Sequence, residues 1–230
     1  MDIKRAWEQR LNEVSAVFKT CPELSEGSAS FSFQILRTYF VNSEGSLVVQ
    51  NRVATRVMLM ASLKAADGME LPLNRDYFAY TPDDLPDNDR MIADARDMIK
   101  RLLALRDAPV ADPYTGPAIL SGPASGVFFH EIFGHRLEGH RLKSGGQTFK
   151  KMVGEQVLPV EFQVYCAPLL KRYADTDLYG HYVYDDEGVK ARRVDNVVNG
   201  VLKEFLMSRV PLDGFPSSNG HGRTSGGGDP

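Results

Sequence analysis

Residues 52 to 64 read Arg52-Val53-Ala54-Thr55-Arg56-Val57-Met58-Leu59-Met60-Ala61-Ser62-Leu63-Lys64. Val53, Val57, Leu59, Ala61 and Leu63 fall on alternate positions, the period of a strand with one buried face. The same period holds upstream. Phe31, Phe33 and Ile35 alternate with polar residues, and Thr38-Tyr39-Phe40-Val41 continues in β-favouring types. Asn42-Ser43-Glu44-Gly45 is a turn signal, and Leu47-Val48-Val49 returns as the second arm of a hairpin. Residues 52 to 64 then form a third strand. Downstream, Asp67-Gly68 turns the chain into a fourth, from Met69 to Tyr80, where Pro72 lacks a ladder N–H and marks an edge.

Helical periods flank this meander. Trp7, Leu11, Val14 and Phe18 make residues 3 to 19 an amphipathic helix. After a Pro/Asp-rich stretch from Thr81 to Asp89, Met91, Ile92, Ala95, Met98, Ile99, Leu102 and Leu103 form one apolar stripe, ended at Ala108-Pro109. Helix, antiparallel meander and helix in that order make an α+β fold. The Pro-rich run from Pro109 to Pro117 is the best boundary in the chain. It separates an N-terminal α+β domain, residues 1–110, from a β-rich domain, residues 111–230.

The second domain opens with a short strand, Ala118-Ile119-Leu120, and a helix started by Ser121-Gly122-Pro123. Lys143-Ser144-Gly145-Gly146 reads as a loop. Val157 to Tyr165 and Tyr179 to Tyr184 read as strands, and Asp185-Asp186-Glu187-Gly188 as a turn. Val197 to Leu202 is a hairpin around Asn199-Gly200. From Pro216 to Pro230 there is almost no apolar content, so this tail is expected not to bury itself and to belong to something longer.

Composition excludes several classes. A net charge of −3 and a pI near 6.0 give no global attraction to nucleic acid or anionic membrane. The basic pairs Lys150-Lys151 and Arg192-Arg193 read as solvated surface. Two distant cysteines, Cys21 and Cys166, are no disulfide framework and suit a reducing compartment. With no apolar h-region at the N-terminus and no apolar run of membrane length, cytoplasm is the expected location.

The chemistry sits in the second domain's helix, at His130-Glu131-Ile132-Phe133-Gly134-His135. Two imidazoles and a carboxylate can hold a divalent metal and activate a water, so a metal-dependent hydrolase is the leading reading. Histidines four apart share a helical face. These are five apart, which on an ideal helix separates them by about 140 degrees. They meet on one ion only if the helix widens or bends between them, and Gly134 is well placed to permit it. Cys166 reads as a core residue, His140 as a surface loop residue, and His181 as part of a Tyr-rich strand. Glu138 is either an acceptor for a ligand histidine or a solvated helix end.

His130-Glu131-x-x-x-His135 followed by Arg136-Leu137-Glu138 resembles the signature of the TldD/PmbA zinc-dependent peptidases. Asn42-Ser43-Glu44-Gly45, Asp185-Asp186-Glu187-Gly188 and Ser218-Asn219-Gly220-x-x-Arg223 are similar to further segments of that family, in the same order along nearly the whole chain. The resemblance implies Zn2+ held by His130 and His135, with Glu131 as general base and unfolded or short peptides as substrates. It further implies a homodimer, or a heterodimer with a family partner, enclosing a proteolytic chamber. The family's third ligand, a cysteine, is expected beyond Pro230. Two alternatives stand beside it. Dipeptidyl-peptidase III-like zincins share His-Glu-x-x-x-His but need a second, acidic helix that is not evident here. A catalytically incomplete partner subunit of a TldD/PmbA-type complex would keep the fold without the reaction.

Overall fold

A computed structural model describes residues 3–144 and 148–224. By its internal contacts the chain forms two compact units. The first comprises the chain up to Leu36, Asn51–Tyr114 and Ala174–Tyr179, and the second comprises Arg37–Gln50, Thr115–Tyr173 and Gly180 onward. The fold is α+β, with antiparallel sheets and helices in sequence.

In the first unit, helices α1 (Ile3–Ala16) and α2 (Asn88–Arg106) cover one face of a sheet of order β1-β2-β3. The strands are β1 (Leu24–Val41), β2 (Leu47–Lys64) and β3 (Glu70–Ala79). Three strands replace the four expected. No Gly or Pro interrupts residues 47 to 64, so Gln50-Asn51-Arg52 stays in the ladder and the two predicted pieces are one strand. β3 is an outer strand that sets Pro72 opposite Ser62, as its missing N–H requires. Val57, Leu59, Ala61 and Leu63 are buried against Met91, Ala95, Met98 and Leu102 of α2 and Trp7 and Val14 of α1. Trp7 stacks on Phe31 at 4.2 Å. None of the described helices is long and apolar enough to cross a membrane.

The hairpin tip belongs to the second unit. Asn42 Oδ1 accepts the N–H groups of Glu44 (3.1 Å) and Ser46 (2.9 Å), and Gly45 takes φ +86. Gln50 acts as a backbone surrogate. Its Nε2 donates to Tyr184 O (3.1 Å) and its Oε1 accepts from Tyr184 N (2.9 Å). Arg209 is ion-paired with Glu44, and Phe40 lies against Gly188, so the two predicted turns meet.

The second unit is less regular than expected. Ala118–Leu120 and Tyr179–Tyr184 form no strand, and Val157–Tyr165 contributes only the start of Val164–Cys166. Pro117 borders the first of these stretches and Pro159 interrupts the last, and each removes a ladder donor. The strands Val164–Cys166, Val194–Val198 and Val201–Leu202 form one sheet, turned at Asn199 (φ 50) and Gly200 (φ 77) as the Asn-Gly signal predicts. Of the expected loop after α3 (Gly122–Ile132), Lys143 and Ser144 close a short helix, and Gly145 and Gly146 lie outside the described residues. The polar stretch after Pro216 corrects the expectation for the tail. Asn219 is 2% exposed, and it is buried by hydrogen bonds rather than by apolar area. Ser225–Pro230 lie outside the described residues.

Asp94 carries the first unit's buried charge. It accepts from Tyr77 Oη (2.6 Å) and Arg90 Nε (3.0 Å). Burial alone would push its carboxyl up, but these bonds and the nearby Arg75 and Arg90 charges hold it below the usual value. Asp94→Ala leaves the Tyr77 hydroxyl without its acceptor and is expected to cost about 1–3 kcal/mol at pH 7 in urea unfolding. A lowered carboxyl stabilises the fold above its unfolded pKa of about 3.9 and loses that contribution as pH falls through the folded value. The gap between wild type and variant should therefore close in acid. Equal stability at pH 7 would contradict this role.

Candidate metal centre

α3 starts at Ser121, whose carbonyl accepts from Ser125 N (2.7 Å), with Pro123 in its first turn. It ends at Ile132. Phe133 leaves the helix with φ −125 and ψ −48, and a tighter 3-10 turn runs from Gly134 to Leu137. His135 is therefore not inside the helix, as the apolar pattern had suggested. Its five-residue offset from His130 spans two different helical geometries.

The break falls among buried side chains, Phe133 and Leu137, 4% and 2% exposed. Phe133 packs on Phe129 (ring centroids 5.0 Å) and Phe149 (5.2 Å), in a core completed by Leu142, Val197, Leu202, Phe205 and Met207. Four residues separate Phe129, Phe133 and Leu137, so a continued α-helix would keep them on one face. The core instead takes Phe133 and Leu137 from two short segments. Gly134, expected to permit the distortion, has no positive φ, and a methyl group there would meet His130 Nδ1 at 3.7 Å, an ordinary contact.

The break brings the two rings together. The His130 and His135 centroids are 4.5 Å apart at 65°. Glu131 lies beside both, with Oε1 4.0 Å from His130 Nε2 and Oε2 3.7 Å from His135 Nε2. One ligand atom from each of the three residues lies within 4.8 Å of the others. Two imidazoles and a carboxylate converging in this way fit a divalent ion of intermediate softness such as zinc.

His135 is further fixed from behind. Its Nδ1 is 2.6 Å from Glu138 Oε1, and Arg141 is ion-paired with the same carboxylate. Burial favours the neutral Glu138, but hydrogen bonds from Arg141 and His135 outweigh it and hold the carboxyl below its ordinary value. An ionised carboxylate only accepts, so Glu138 favours a proton on Nδ1, while Arg141 Nη2, itself a donor, lies 3.2 Å from the same nitrogen. This settles the two readings of Glu138 in favour of the acceptor. Arg141 had no signal in the sequence beyond its charge.

The remaining histidines lie apart. His140 Nε2 is 3.8 Å from Glu138 on an exposed loop. His181 Nδ1 lies 3.0 Å from Pro168 O. His221 Nδ1 contacts Asn219, and burial pushes its pKa down. Cys166 is the half-buried last residue of its strand.

Phe133→Ala should cost about 3–5 kcal/mol in urea unfolding, the range for removing a buried aromatic. A loss below about 1 kcal/mol would show that the break is not anchored there.

The model of the PmbA/TldA metallopeptidase C-terminal domain matches residues 113–230. Metalloprotease MJ0996 of Methanocaldococcus jannaschii is 28% identical over 206 residues, covering 86% of this chain and 43% of that protein. A zinc metalloprotease TldD homolog of Saccharolobus solfataricus is 24% identical over 218 residues, covering 90% and 46%. The chain thus spans less than half the length of these curated relatives. Among solved structures, one from Thermotoga maritima that bears the name of a DNA gyrase modulator superposes with a TM-score of 0.69 at 17% identity, over all of this chain and 51% of that one. TldE from Thermococcus kodakarensis gives 0.60 at 17% identity, over 94% and 47%. The family match takes in about half of the chain, from just before α3 onward, and by it the chain belongs to the PmbA/TldD family of metallopeptidases.

Proposed function

We propose that the protein is a zinc-dependent peptidase acting on unfolded or short peptides, with His130 and His135 as metal ligands and Glu131 as general base. The observation that carries this reading is the convergence of His130, Glu131 and His135 despite their awkward spacing. Zinc, when bound, supplies a Lewis acid that acidifies a water and polarises the scissile carbonyl. The chain's own residues do the rest. Glu131 takes the proton from the attacking water and returns it to the amide nitrogen as the C–N bond breaks. Glu138 holds the His135 ring through Nδ1, which leaves Nε2 on the side of Glu131.

The side chains of His130 and Glu131 are 61% and 62% exposed, which suits a substrate entering as an extended chain. Family membership and the exposed Val127, Phe128 and Ile132 on α3 support association with a second copy or a family partner. Two free thiols suit a cytoplasmic setting.

The test is metal content together with hydrolysis. The protein should retain about one zinc per chain after dialysis, and His130→Ala and His135→Ala should each abolish retention. Glu131→Gln should keep the zinc while peptide hydrolysis falls about 10²–10⁴-fold. A wild-type protein that holds no zinc would favour the non-enzymatic partner subunit.

A further inference from the structure

The segment after His135 is held by a strand that has little sheet of its own. Leu206 N donates to Leu137 O (2.8 Å) and Gly139 N donates to Leu206 O (2.9 Å), a parallel bridge between Leu206 and Glu138. Glu204–Met207 lies beyond the last described strand, Val201–Leu202. Asn196 Nδ2 donates to Glu204 O (2.9 Å) at its start, and a second amide side chain holds the rest.

Asn219 accepts from Met207 N through Oδ1 (2.8 Å). Its Nδ2 donates to Phe205 O (2.7 Å) and Glu204 Oε1 (3.1 Å). The loop around it closes on Met207 O, which receives Ser218 Oγ (3.1 Å), Asn219 N (3.3 Å) and His221 N (3.4 Å). A carboxamide offers donor and acceptor in one plane, so Asn219 serves as the missing neighbouring strand for Phe205 and Met207. On the far side, a methyl group at Gly139 would come within 2.6 Å of Met207 Sδ and 2.9 Å of Leu206 O, so this close approach requires glycine.

We propose that Asn219 is a positioning residue of the metal centre. By fixing Phe205–Met207 it sets the Leu137–Gly139 backbone, hence the Glu138 carboxylate, hence the orientation of His135. If Glu138 slides, the His135 ring loses the partner that holds it through Nδ1 and turns relative to His130 and Glu131. The purpose of this arrangement rests on the metal reading above, whereas its geometry does not.

The experiment compares ¹⁵N imidazole spectra of the metal-free full chain in wild type, Asn219→Ala and Gly139→Ala, with His135 assigned through His135→Gln. Val194→Ala, fully buried in the same unit but outside this path, controls for general destabilisation. Wild type and Val194→Ala should give the same His135 ¹⁵N resonances, while Asn219→Ala and Gly139→Ala should shift them. Zinc competition should follow, with affinity about tenfold weaker in those two variants and unchanged in the control. Unshifted His135 resonances in Asn219→Ala, or an equal shift in Val194→Ala, would overturn the proposal. If Asn219→Ala does not fold, Asn219→Asp, which keeps the acceptor and loses the donor, decides by the same criterion. A wild type that takes no zinc would count against the metal reading, and the ¹⁵N comparison would still decide the role of Asn219.

Discussion

The end of the α-helix between His130 and His135 is the constraint on which the site depends. An apolar helix running through His135 would turn the two imidazoles about 140 degrees apart. The core around Phe149, Phe205 and Met207 instead draws in Phe133 and Leu137, and the backbone leaves α-helical geometry between the histidines. The spacing that looks unfavourable on an ideal helix is the spacing this break needs. Packing and site geometry meet here, because a core side chain, Phe133, sits at the break between the two rings.

Around the break the unit is arranged in layers of polar contact. Glu138 holds His135, Arg141 holds Glu138, and the backbone that carries Glu138 is paired with Leu206. That strand is gripped in turn by the buried Asn219. Short strands and many irregular segments form this half of the chain, so side-chain amides and carboxylates take over the ordering that sheet ladders provide elsewhere. Gln50 against Tyr184 and Asn42 in the hairpin tip work in the same way.

Periodic signals were the legible ones. The alternation Val57, Leu59, Ala61, Leu63 and the stripe from Met91 to Leu102 stand in the core as read. Pro72 lies on an outer strand, and Asn199-Gly200 turns its hairpin. Weak punctuation misled: Gln50-Asn51-Arg52 carries no breaker, so two predicted strands are one. In the second unit, prolines beside apolar runs outweighed β-propensity at Ala118–Leu120 and Val157–Tyr165. The helix break expected near Gly134 falls there, between the end of the α-helix at Ile132 and the 3-10 turn that begins at Gly134. The buried role of Asn219 left no periodic trace in a Gly- and Ser-rich tail, because it is set by contacts with the Glu204–Met207 segment rather than by its sequence neighbours.

The central claim is that both imidazoles bind one ion in spite of a helix that ends between them. X-ray absorption at the zinc edge on the metal-loaded protein, compared with His135→Gln, measures this directly. The account predicts two imidazole nitrogens at about 2.0–2.1 Å in wild type and one in the variant. Identical imidazole scattering in the two proteins would contradict it.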